Sequence, residues 1–496
     1  MRIRSLIIEV ILRKSDILSG LFLLSLVLFV KPGVSQEAPF FIPLGENQIA
    51  AQAYPNILII TVDNVGYGDY RIFNPESRIH TPTLEKMAND GAVLTNFYTA
   101  GATCTVSRAA LLTGRIPQRN KLDYQLAGIA GNYGIGLRHS EIILPEVIKE
   151  SEGNYVTGAF GKWNIGFAPG SRPVDRGFDE YLGIVSGNAD PYTHVYAGLS
   201  DLHYNNERVS RTGEYSTDLF ADEAIRFINK NSAHSTPWFV YLAFDAPHSP
   251  GERNIAPGEN HTFQAPERAY ESYDFSPDEK DQSKQYSAVV TAIDQAMGRV
   301  LDNLDSMGIL DNTFIFFYSD NGANLSTVQE RIMGKQFSFN TPFRGGRSTL
   351  YEGGIRVPAI AMWKGTIPPG QVIHTRLWSP DVFMSSVQLS GASLPTDRFF
   401  DGKNILPVLK AESTNSPHAA LYFEDGDYDA LIWGEWKIVR EKEEQPWQLY
   451  NLQQDQSESL DLSKDYPELV QKLGHAFDQQ KQEIISYHQI QQDNGN

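Results

Sequence analysis

Two stretches far apart in the chain end in the same chemistry. Residues 57–64 read ILIITVDN and residues 314–321 read FIFFYSDN, each an apolar run closed by an acid and an amide. Asp63, Asn64, Asp320 and Asn321 together offer two carboxylates and two amide carbonyls. That is a hard oxygen set suited to calcium or magnesium. No cysteine–histidine spacing of the zinc type accompanies it. Either pair taken singly also reads as a plain Asp-Asn-Gly or Asp-Asn turn. A second kind of chemistry sits in CTVSR, residues 104–108, which holds Cys104, the only cysteine of the 496 residues. A lone cysteine is either a small buried hydrophobe or a reactive group. This one stands where a helix is expected to begin, and the free N–H groups of a helix start favour anions.

The elements that must position these residues alternate. Continuous Ile- and Phe-rich runs suit strands buried on both faces of a mostly parallel sheet, and ligands gather beyond the C-terminal ends of such strands. HTPTLEKMANDG (80–91) carries Thr81 as N-cap, Pro82 at the first helical position and Gly91 past the end. DLFADEAIRFINK and QYSAVVTAIDQAMGRVLDNLDSMG have helical spacing, and PWFVYLAFDAPHSP reads as another buried strand ending in a polar turn. Strand–helix alternation predicts an α/β fold with helices on both sheet faces. Near the C-terminus, ALIWGEWKIVREKEEQPWQLYNL predicts paired strands and LVQKLGHAFDQQKQEII a final helix.

The N-terminus carries Arg2, Arg4, Arg13 and Lys14 before an apolar run from Ile17 to Val30, then Gly33 and Ser35. This is the layout of a secretory signal peptide over residues 1–35, and it predicts an exported, periplasmic or secreted protein. No stable membrane association is expected once the peptide is removed. The formal charge is -18. Residues 1–35 are net basic, so the rest is more acidic still. Such a surface repels nucleic acid.

Nine stretches in chain order carry a family resemblance: TVDNVGYGD, HTPTLEKMANDG, CTVSR, LLTGR, GKWNIG, DRGFDEYLG, APHSP, SDNGAN and LYEGGIRVP. From about Pro55 onward the chain resembles the formylglycine-dependent, arylsulfatase-like type I sulfatases of the alkaline phosphatase superfamily. The resemblance implies a large, mixed, mostly parallel sheet over residues 51–385, after a loose lead at 36–50. A smaller C-terminal antiparallel sheet with its final helix would fill 386–496. It implies that a maturation enzyme oxidises Cys104 to formylglycine. The hydrated aldehyde then attacks the sulfur of a sulfate monoester, and its second hydroxyl lets sulfate leave. The metal set would be Asp63, Asn64, Asp320 and Asn321 together with residue 104. Arg108 would support the nucleophile. Lys162, Asn164, His248 and Arg347 would face the substrate, with His248 binding the ester or protonating the leaving oxygen.

Four positions depart from the family pattern. Val106 replaces the usual Pro or Ala of the maturation motif. Asn164 replaces a histidine and cannot take a proton near neutral pH. Arg347 replaces a lysine, so it stays cationic and grips sulfate with two donors. Asn64 replaces the commoner Asp. These departures keep two alternatives open beside a sulfatase acting on an aryl sulfate or a sulfated carbohydrate. One is a catalytically impaired protein that binds sulfated ligands. The other is a phosphodiester or phosphonate hydrolase without formylglycine. Tyr192, His194, Tyr196, His203 and Tyr204 share one insertion, where they either stack on sugar rings or pack internally.

Overall fold

The run Ile57–Ile60 has no polar side chain to turn toward water, so a strand built from it must be covered on both sides. The computed structural model covers it so, and describes residues 54–126, 136–234, 236–250, 262–324 and 338–494. The expected signal peptide and lead (1–50) lie outside these residues. Strand β1 (Asn56–Val62) is buried throughout. Ile57 and Ile59 enter one core with α2 (Cys104–Thr113) and α5 (Ser379–Ser390). Leu58, Ile60 and Val62 enter the opposite core with α1 (Pro82–Asp90), α3 (Ser216–Ser232) and α4 (Gln282–Ser306). Each such side chain, fully withdrawn from water, contributes roughly 1.5–3 kcal/mol.

Among the described residues the main sheet has ten strands. In chain order the others are β2 (Ala92–Leu94), β3 (Val156–Gly161), β4 (Glu180–Ile184), β5 (Leu202–Tyr204), β6 (Glu207–Arg208), β7 (Trp238–Ala243), β8 (Thr313–Ser319), β9 (Ala359–Met362) and β10 (Gln371–Ile373). Their spatial order is β10-β2-β9-β8-β1-β7-β3-β4-β5-β6. The five central strands, β8-β1-β7-β3-β4, run parallel, with Ile59 level with Phe316 on one side and Tyr241 on the other. Antiparallel pairs follow on both flanks, β8-β9-β2 on one and β4-β5-β6 on the other, and β10 closes the first as a parallel edge strand on β2. This is the mixed, mostly parallel α/β sheet with helices on both faces that the sequence implies.

A second sheet of four antiparallel strands follows: β11 (Ala420–Asp425), β12 (Tyr428–Trp433), β13 (Trp436–Arg440) and β14 (Gln448–Asn451). The terminal helix α6 (Pro467–Asn494) packs on it through Leu473 and Phe477. The expected boundary at 385/386 falls inside α5, which packs on the main sheet, and the antiparallel sheet itself begins at Ala420.

Local details follow from side-chain chemistry. Thr81 stands at the N-cap of α1, yet its hydroxyl makes no cap bond. The buried carboxylate of Asp294 on α4 accepts from Thr83 N at 2.9 Å and Leu84 N at 2.8 Å instead. Val106 lies buried on α2, with its Cγ1 in the space that a Cβ on residue 101 would need, so Gly101 accommodates the β-branched side chain. The insertion aromatics are mostly packing groups. His194 and His203 are buried against the carbonyls of Glu214 and Asp201, and Tyr192 tilts onto Tyr215.

Candidate active site

Four adjacent parallel strands end on one side of the sheet, and each delivers polar residues there. β8 is followed by Asp320 and Asn321, β1 by Asp63 and Asn64, β7 by the loop to His248, and β3 by Lys162 and Asn164. The N-terminus of α2 brings Cys104 to the same place. Asn64 has φ +66°, a left-handed conformation that asparagine tolerates better than most residues.

All ten residues singled out from the sequence fall in one bonded cluster. The Cys104 thiol donates to Asp63 Oδ1 at 3.3 Å and lies 3.9 Å from Asn64 Oδ1. Lys162 Nζ pairs with Asp63. Arg108 is fully buried, donates from Nε to Asp320 at 2.9 Å and holds Nη2 as an ion pair 2.8 Å from the same carboxylate and 3.8 Å from Asp63. Asn321 Nδ2 donates to Asn64 Oδ1 at 2.5 Å. Arg347 donates to Cys104 Sγ at 3.3 Å and to His248 Nε2 at 3.4 Å. Thr105 Oγ1 donates to Asn164 Oδ1 at 2.9 Å.

The electrostatics favour a bound anion over a free thiolate. Burial pushes the Cys104 thiol up to about 11, against the pull of Arg347. Asp320 is raised by burial and by the charge of Asp63, with Arg108 opposing. His248 is held well below its ordinary value by burial and by Lys162 and Arg347. Its Nδ1 lies 2.7 Å from the Ser249 carbonyl, which can only accept, so Nδ1 carries the proton. Nε2 is then a lone pair turned toward Arg347. In this arrangement the ring offers Nε2 as an acceptor.

The oxygen set fits a divalent cation. Asn321 Oδ1 is buried and has no hydrogen-bond partner, an unmet acceptor that a cation would satisfy. Asp63 and Asp320 supply the balancing charge. Ligand atoms of Asp63, Cys104 and His248 also lie within 4.8 Å of one another, a grouping the sequence spacing did not suggest. Calcium is therefore expected to raise the thermal midpoint and a chelator to lower it. At a hundredfold excess over Kd the stabilisation is about 2.7 kcal/mol. A midpoint indifferent to both would remove the metal from this site.

Sequence reasoning missed several supporting residues. Tyr241 on β7 takes a bond from Arg108 at 3.3 Å. Asp425, at the end of β11, accepts from Ala102 N at 2.6 Å and so ties the second sheet to the turn before Cys104. Gln125 bonds both Thr105 N and Asn164. None sits in a local pattern that marks it.

A buried cation pair, an oxygen set and a helix start facing one cysteine define a site for hydrolysing an anionic ester. Known relatives say which. A sulfatase profile matches residues 55–392. N-acetylgalactosamine-6-sulfatase from Homo sapiens is 36% identical over 371 residues, which span 72% of this chain and 66% of that protein. An arylsulfatase from Hemicentrotus pulcherrimus is 32% identical over 390 residues, spanning 74% of this chain and 64% of that protein. Among solved structures, Ps i-CgsB superposes with a TM-score of 0.75 at 29% identity, covering 86% of this chain and 92% of that one. The chain belongs to the sulfatase family. It is a sulfuric ester hydrolase, and it spans about two thirds of the length of these curated relatives.

Proposed function

We propose that the protein is an exported sulfatase that removes sulfate from a sulfated carbohydrate, using formylglycine made from Cys104 and a calcium ion. The observation that carries this reading is the surround of Cys104 Sγ. Arg347, Asp63 and the start of α2 converge on it, with Lys162 on Asp63 and His248 on Arg347. The Sγ marks where the oxygen of a converted residue would stand. Asp63, Asn64, Asp320 and Asn321 would hold the ion, which supplies a Lewis acid for the sulfate oxygens.

The chain's own residues divide the remaining work. Lys162 and Arg347 offset the ester's negative charge, and Arg347 adds two directed donors. Arg108 bonds Asp320 and borders Asp63, and so fixes both carboxylates in place. His248, with Nδ1 committed to Ser249, accepts a proton or hydrogen bond through Nε2. A carbohydrate substrate is supported by the relatives' names, N-acetylgalactosamine-6-sulfatase among them, and by the complex of Ps i-CgsB with k-i-k-neocarrahexaose. Export is supported by the basic-then-apolar N-terminus. The maturation enzyme is then a required partner.

The test takes protein from a host that contains a maturation enzyme. The tryptic peptide Met87–Arg108 is weighed, and release of sulfate from sulfated oligosaccharides and an aryl sulfate is followed. An aldehyde at residue 104 with turnover is expected. An intact thiol with turnover would mean a hydrolase without formylglycine, and binding without turnover would mean an impaired member.

A further inference from the structure

Asn164 carries a hydrogen-bond donor whose direction is fixed by a backbone N–H several bonds away. The main-chain N–H of Thr105 can only donate. It donates to Gln125 Oε1 at 3.1 Å, which settles which end of the Gln125 amide is oxygen. Gln125 Nε2 must then be the atom 3.1 Å from Asn164 Oδ1, and it also reaches the Leu126 carbonyl at 3.4 Å. The Thr105 hydroxyl accepts from Leu126 N at 3.2 Å, so its own proton is directed at Asn164 Oδ1. Two donors therefore hold Asn164 Oδ1, and Nδ2 is turned the other way.

That Nδ2 is buried and has no hydrogen-bond partner, although Asn164 is 0% exposed. Leaving such a donor unmet is unfavourable, so an orphan held in place by two other side chains points to a missing acceptor. Nδ2 faces Gly187, where an added Cβ would come within 3.4 Å of it. The next residue, Asn188, donates to the Ser249 carbonyl that also receives His248 Nδ1. The unmet donor and the His248 ring thus border the same loop.

We propose that Asn164 Nδ2 binds an acceptor oxygen of the sulfated substrate, and that Gln125 is the positioning residue that selects donor over acceptor there. This rests on the sulfatase reading above and adds to it a specificity element set by amide orientation. A substrate oxygen that can accept is favoured at this point, and a group offering only hydrogens is disfavoured.

Gln125→Glu tests this by exchanging one donor for an acceptor at an exposed position. The new carboxylate still accepts from Thr105 N but has no proton for Asn164, so the Asn164 amide turns and presents Oδ1 to the substrate. The kcat/KM for the best sulfated substrate is expected to fall about 10-fold, the scale of one hydrogen bond to a charged acceptor. The thermal midpoint should stay unchanged. Asn164→Ala should cause a similar fall, and adding Gln125→Glu to it should cause no further loss, because the two act through one bond. A Gln125→Glu enzyme within about twofold of wild type, or losses that simply multiply in the double variant, would overturn the proposal alone. Absence of turnover by the wild type would overturn the sulfatase reading and this inference with it.

Discussion

Cys104→Ala is expected to leave the protein folded and to remove turnover, with kcat lowered by about 10⁴-fold or more. The fold should tolerate the change because Sγ makes only weak contacts, 3.3 Å to Asp63 Oδ1 and from Arg347 and 3.9 Å to Asn64 Oδ1. Binding should survive because Lys162, Arg347 and His248 are untouched, so KM or the inhibition constant for a sulfated ligand should move only a few-fold. Cys104→Ser is the sharper companion. It restores an oxygen nucleophile but not the second hydroxyl that lets sulfate leave, so steady-state turnover should remain absent. Steady-state hydrolysis together with thermal unfolding checks both variants. An alanine variant retaining a tenth or more of wild-type kcat would move the nucleophile away from residue 104.

Lys437→Met is expected to be the most destabilising single change outside the site. Lys437 is fully buried on β13 between Glu352 Oε1 at 2.9 Å and Glu458 Oε1 at 2.8 Å. Glu352 also accepts from Tyr98 at 2.7 Å, and its backbone N–H donates to Glu458 Oε2 at 2.7 Å. Removing the lysine leaves two buried carboxylates with Arg356, 3.4 Å from Glu352, as their nearest remaining cation. Breaking such a buried pair costs about 3–5 kcal/mol. Glu458 is already pushed from 4.5 to about 7, first by burial, against the pull of Lys437, and then by the charge of Glu352. A raised folded pKa favours folding below the unfolded value and loses that advantage as pH rises through the folded one. Without Lys437 the folded pKa climbs further, so the deficit should be smallest near pH 4.5 and widen above neutrality. Thermal midpoints across that window measure it, and adding Glu458→Gln should recover part of the loss. Equal midpoints for wild type and Lys437→Met at about pH 8, above the folded value, would show that the lysine does not hold these carboxylates.

How much of this was legible in the sequence depends on the range of the interaction. Ile57–Val62 could be read as a doubly buried strand because four consecutive apolar residues, Ile57–Ile60, leave no polar face. Asp63–Asn64 and Asp320–Asn321 could be read as donors because each follows such a run. That β1 and β8 lie side by side could not be read, since 257 residues separate Asn64 from Asn321 and strand order is a tertiary choice. A separation of 211 residues from Thr83 likewise hid Asp294, which caps α1 from another helix while Thr81 stands idle. Gln125, Tyr241 and Asp425 look ordinary among their sequence neighbours, and only their partners give them roles. The histidines at 194 and 203 read equally as ligands for a sugar or as packing, and burial against carbonyls decides for packing.

The bond from Ala102 N to Asp425 has a consequence in time. It joins residues 323 positions apart, and Cys104 beside it is completely enclosed. Asp320 and Arg347, which help close the same space, also emerge long after Cys104. At about 5–20 residues per second, the stretch from 102 to 425 takes tens of seconds to be synthesised. An enzyme that modifies Cys104 reaches it freely only before Asp425 and its neighbours have arrived and folded around it. If Cys104 is converted as proposed, the fraction of active protein depends on a race between the modifying enzyme and the arrival of the last part of the chain. A slower ribosome should favour the former.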